Sequence, residues 1–101
     1  MTKPNLPSLD YDGAQILSPN TYVVSRVVGE LALILDPSRD EIRQLNEVGT
    51  FIWSMISKSQ YTRDDVLNAL LETFDITPDV ASSDLDDFLN DLNSTSLIQM
   101  N

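Results

Sequence analysis

The sequence predicts an α+β domain in which a three-stranded antiparallel sheet is followed by three helices. Three observations carry this expectation. Runs rich in β-branched and alternating apolar residues fill positions 21–45, apolar spacings of three and four take over from Val48 onward, and turn or capping residues separate the segments. At 101 residues, 42% hydrophobic and 22% charged, the chain suits one core and leaves no room for a second.

Residues 1–20 contain Pro4, Pro7 and Pro19 and show no sustained period, so they are expected to form an extended or flexible N-terminal arm, with a turn at "DYDG", Asp10 to Gly13. The domain itself is expected to span 21–101. "TYVVSRVV" from Thr21 reads as the first strand, Gly29 as a tight turn, and "ELALILD" as the second strand, with Leu31, Leu33 and Leu35 on one face and Ala32 and Ile34 on the other. "DPSRD", Asp36 to Asp40, supplies the next turn, and "EIRQLN" reads as a short third strand that completes the meander.

Asn46 stands where a helix N-cap belongs, and Glu47 in the first turn complements the positive end of the helix dipole. Val48, Phe51, Ile52, Met55 and Ile56 recur at helical spacing and define an apolar face. Gly49 borders that face, although glycine costs a helix about 1 kcal/mol relative to alanine. The expectation is that its missing side chain admits the backbone of a neighbouring element, with Trp53 covering the junction. Thr62 and "TRDD" open a second helix with an aspartate variant of the capping box, burying Val66, Leu67, Leu70, Leu71 and Phe74. Thr77 and Pro78 launch a third, with Ala81, Leu85, Phe88, Leu89 and Leu92 inward.

Composition excludes several chemistries. The chain has no cysteine and no histidine, which rules out thiolate or imidazole metal sites and Cys–His or Ser–His nucleophile pairs. No acid falls on an apolar face where its proton affinity would be raised for acid–base work, so no enzyme activity is expected. Asp84, Asp87 and Asp91 lie close on one helix surface, but a hard cation wants six or more oxygens from several directions, and a solvated face explains them. No cofactor is implied. The N-terminus lacks the basic start and apolar core of a secretory signal, and no apolar run reaches the ~20 residues that span a bilayer; a cytoplasmic protein without membrane contact is expected.

The net charge of −10 is uneven. Residues 1–60 carry seven acids and five bases, whereas residues 61–101 carry nine acids and a single base, Arg63. A sheet followed by three helices, the last two tightly linked, has the outline of a winged helix-turn-helix, and many such domains bind DNA. Here the would-be recognition helix bears Asp79, Asp84, Asp86, Asp87 and Asp91, so it repels phosphate and no nucleic-acid partner is expected. Acyl carrier proteins are also small and acidic, but their Asp-Ser-Leu attachment motif is missing from "SSDLDD".

At "VVSRVVGELALILDP", "RQLNEVGTFIW", "VLNALLETFDITPDVASSDLDDFLNDL" and "SLI", the chain resembles the PqqD family, the D proteins of pyrroloquinoline quinone biosynthesis. The resemblance runs over residues 21–98. It rests on the Leu45-Asn46 pair before a helix with Gly49 and Trp53, together with an aspartate, Phe88-Leu89 and Leu92 in the last helix. One departure stands out: the family has glycine before the final leucine, where this chain has Ser96 before Leu97.

The resemblance implies a non-catalytic domain that captures the leader of a ribosomally made precursor peptide and presents it to a modifying enzyme such as a radical S-adenosylmethionine enzyme, a protease or a cyclase. The leader would add as a strand beside the third strand, over a groove walled by the third helix. On this sequence the peptide-binding residues would be Glu41, Ile42, Arg43, Gln44, Leu45, Asp84, Leu85, Phe88, Asp91 and Leu92. Leu45, Leu85 and Leu89 compete for roles in the core, so Ile42 and Phe88 are the stronger candidates for contact. Arg43 would suit an acidic leader residue and the acidic helix a basic one. The rival function is a scaffold or regulatory subunit that uses the same groove for a partner protein.

Overall fold

The computed structural model describes residues 15–36 and 39–100. The turn expected at Asp10–Gly13 and the first fourteen residues of the expected arm lie outside them.

The meander forms as the alternation requires. β2 (Val24–Val28), β3 (Leu31–Asp36) and β4 (Glu41–Gln44) pair antiparallel in the order β2-β3-β4. Gly29 takes φ +67 at the first of two turn positions between β2 and β3, a backbone that glycine adopts without steric cost. The buried face of β3 is the one with the smaller residues: Ala32, Ile34 and Asp36 are buried, while Leu35 is exposed. The reason is the helix beneath. α1 (Glu47–Ile56) lies against that face, and the Ala32 amide donates to the Thr50 hydroxyl at 2.9 Å, an approach that a bulky side chain at 32 would block.

The arm boundary needs correction. Ile16–Pro19 forms β1, the centre of a second antiparallel sheet of order β5-β1-β6, with β5 at Tyr61–Thr62 and β6 at Ile98–Met100. Leu17 is fully buried and Ser18 nearly so. The stretch therefore belongs to the core: β1 holds the segment before α2 and the segment after α3 in one ladder, pairing Leu17 with Tyr61 on one side and Met100 on the other.

The helices begin where their caps predicted. Asn46 Oδ1 accepts from the Gly49 amide at 2.8 Å. Thr62 and Asp65 complete a reciprocal capping box at the start of α2 (Arg63–Thr73), and Thr77 caps α3 (Pro78–Ser94) with proline in its first turn. Arg63 ties α2 to α3 by donating to both carboxylate oxygens of Asp86, at 3.0 and 3.1 Å. The rings of Phe51 and Phe74 meet edge to face at 5.4 Å, joining α1 to the end of α2. Trp53, expected to cover the junction at Gly49, is not among the three nearest contacts there; it is 3% exposed and part of the core with Leu17, Ile34, Ile52, Leu89 and Leu97.

Ser96 resolves the question raised by its place before Leu97. It adopts φ +60, and the Leu97 amide reaches back to the Leu92 carbonyl at 2.9 Å, closing a Schellman-type helix end. A serine pays about 1–2 kcal/mol for that left-handed backbone. The Ser96 carbonyl accepts from both the Asn20 side-chain Nδ2 and the Tyr22 hydroxyl, which offsets part of the cost and anchors the chain between β1 and β2. Among the described residues no helix is long and apolar enough to cross a membrane.

Candidate functional site: an open strand edge and its groove

β4 is an edge strand; among the described residues nothing pairs with its outer side. The pairing register says which of its backbone groups are free. The Leu45 amide donates to the Ala32 carbonyl at 2.9 Å, which marks Ala32 and Leu45 as a hydrogen-bonded pair. Antiparallel ladders alternate, and the strands are paired Ile34 with Arg43 and Leu35 with Ile42. Arg43 therefore bonds to β3, while Ile42 and Gln44 direct their N–H and C=O groups to the open edge.

Beyond Gln44 the edge runs into a groove of about 390 Å³ between the start of α1 and the first half of α3. Its walls include Leu45, Val48, Gly49, Ile76, Leu85 and Phe88, with Asp84 and Gln44 at the polar side. Among the described residues no three acids gather as a metal site.

Gly49 acquires a different explanation here. A side chain at 49 would meet Asn46 Oδ1 at 3.2 Å, Leu45 Cβ at 3.4 Å and the Phe88 ring at 3.7 Å. These are side chains and not the backbone of another element, so the close-approach expectation is corrected. The glycine leaves clearance for the capping oxygen and keeps the groove open opposite Phe88.

The ten residues expected at the site divide. Gln44, Leu45, Asp84, Leu85 and Phe88 meet around the groove. Ile42 stands on the outer face of the sheet, 69% exposed, beside Leu35 in a shallow apolar depression of about 180 Å³. Glu41 lies exposed at the far end of β4. Leu92 is fully buried in the core. Arg43 turns inward and grips Asp91 through two hydrogen bonds of 2.7 and 3.2 Å, so neither is free for an incoming charge. Those bonds raise the Arg43 pKa above its ordinary value, against the opposing effect of partial burial. Sequence reasoning missed Val48, Ile76 and Ala81 in the groove wall; the spacing places Val48 and Ala81 on apolar helix faces without showing that those faces part to leave a groove.

An open edge with two unbonded residues, leading into an apolar groove, defines a small α+β domain able to take an extended chain along its sheet. The sequence model of Coenzyme PQQ synthesis protein D (PqqD) matches residues 32–98, and the chain belongs to that family. Two solved structures share its fold. One, TbiB1 in complex with the TbiA(beta) leader peptide, has a TM-score of 0.74 at 22% identity, covering 81% of this chain and 94% of that one. The other, lasso peptide synthetase B1 complexed with the leader peptide, has a TM-score of 0.72 at 16% identity, covering 82% of this chain and 96% of that one. No match was found among curated proteins.

Proposed function

We propose that this protein is a non-catalytic recognition domain that binds the leader of a ribosomally synthesised precursor peptide by β-strand addition to β4 and holds it for a separate modifying enzyme. The observation that carries this reading is the β4 edge, where Ile42 and Gln44 offer backbone groups next to a groove. Family membership and the leader complexes formed by two proteins of the same fold support it.

The leader's backbone pairs with Ile42 and Gln44. One of its apolar side chains enters the groove against Phe88 and Val48, with Leu85 fully buried behind them, and its outward residues lie beside Ile42. Each added main-chain hydrogen bond contributes about 1 kcal/mol net, so the edge aligns the guest and the groove sets most of the affinity. With Arg43 held by Asp91 and Asp84 on the groove rim, the site favours a basic leader residue next to the apolar one. In this reading the helical trio and the β2–β3 hairpin form a winged helix-turn-helix turned from nucleic acid to peptide. The enzyme served is a radical S-adenosylmethionine enzyme, a protease or a cyclase, working in the cytoplasm.

Titration with leader peptides of precursors encoded beside the gene tests the reading. Saturable binding is expected, weakened at least tenfold by Gly49→Leu, whose side chain fills the groove. Failure of every such leader to bind, or equal binding by Gly49→Leu, contradicts it.

A further inference from the structure

Among the described residues the sheet has a second open edge, on β2, whose five residues are all exposed. Since β3 uses Ala32 and Ile34 to bond β4, it uses Leu31, Leu33 and Leu35 to bond β2. Their partners are Val28, Arg26 and Val24, so Ser25 and Val27 direct their N–H and C=O groups away from the sheet. Under this edge lies a crevice of about 340 Å³ between β2 and α1, walled by Ser25, Val27, Trp53, Ser57 and Lys58.

Two features give this surface a chemical preference. Among the described residues, Arg39, Arg43 and Arg63 form ion pairs with Asp36, Asp91 and Asp86, whereas Arg26 and Lys58 form none. In a chain of net charge −10, these two cations stand at one edge, Arg26 on the outer face and Lys58 at the crevice. The indole N–H of Trp53, a wall residue of the crevice, is buried with no hydrogen-bond partner among the described residues.

We propose that the β2 edge and the crevice beneath it form a second docking surface, for an acidic extended segment of a separate protein. Such a strand bonds to Ser25 and Val27 and places a carboxylate opposite Arg26. Its flanking side chains turn inward over the crevice, within the field of Lys58. A second copy of this chain does not suit: antiparallel pairing of two β2 strands centred on Arg26 sets the two guanidinium groups directly opposite each other. The inference is independent of what β4 binds, and the two edges flank the sheet on opposite sides, so both can be filled at once.

The probe is a blocked peptide of alternating valine and aspartate, with a valine–lysine counterpart, each added to isotope-labelled full-length protein. The single tryptophan gives one assignable indole resonance. Expected are saturable shifts of the Ser25 and Val27 amides and the Trp53 indole with the aspartate peptide. The lysine peptide gives none there, and Arg26→Glu combined with Lys58→Glu weakens the effect at least tenfold while other resonances stay in place. Both substituted side chains are on the surface, so folding is preserved and is verified by those unmoved resonances. Equal shifts with both peptides, shifts confined to residues 42–49, no response at millimolar peptide, or sedimentation showing a dimer through β2 would each overturn the proposal.

Discussion

Gln44→Pro is expected to weaken leader binding by about 1–3 kcal/mol beyond Gln44→Ala, roughly 5- to 150-fold in Kd, while leaving the fold standing. The comparison isolates one N–H. Both substitutions remove the side chain at the groove's polar edge, but only proline removes the amide hydrogen. The register turns that hydrogen away from β3, so the native ladder loses nothing, and proline is tolerated on an edge strand when its nitrogen faces outward. A guest carbonyl that arrives there finds no donor and keeps its desolvation cost. Anisotropy of a labelled leader, with urea denaturation as the control for folding, measures the difference. Equal affinities for the alanine and proline variants would mean that the guest does not bond to Gln44.

Leu17→Ala is expected to destabilise the protein by about 2–5 kcal/mol, read as a lower urea midpoint at unchanged slope. Leu17 is fully buried in the core shared by both sheets. With typical domain stabilities of about 5–15 kcal/mol, that loss leaves a marginal fold. A change below about 1 kcal/mol would show that β1 is a detachable arm after all.

The contrast between these two sites shows what the sequence made legible. The meander, the three helices and all three N-caps were readable because their signals are local: alternation of period two, apolar spacing of three and four, and a capping side chain within three residues of the amide it serves. β1 was hidden because its signal is not local. "ILSP" ends in proline and follows a stretch without period, and its partners at Tyr61 and Met100 lie far along the chain. β5 and β6 are too short to show alternation.

The resemblance points to β4, Phe88 and Asp84, which border the candidate groove or its edge, but not to the side-chain commitments among its neighbours. Arg43 alternates onto the inner face of its strand, and only the placement of α3 supplies Asp91 within 2.7 Å. Leu92 satisfied the same helical spacing as Leu85, yet the groove ends before reaching it. On β3, both faces are apolar, so alternation identified a strand without saying which side is buried. The Ala32 to Thr50 hydrogen bond decides that, and it depends on the approach of α1.

Amide hydrogen exchange with saturating leader tests the central claim most directly. The account predicts strong slowing at Ile42 and Gln44, whose N–H groups gain partners, and little change at Arg43, which is already bonded to β3. Leader-bound protein in which Ile42 and Gln44 still exchange at the rates of the free protein would contradict it.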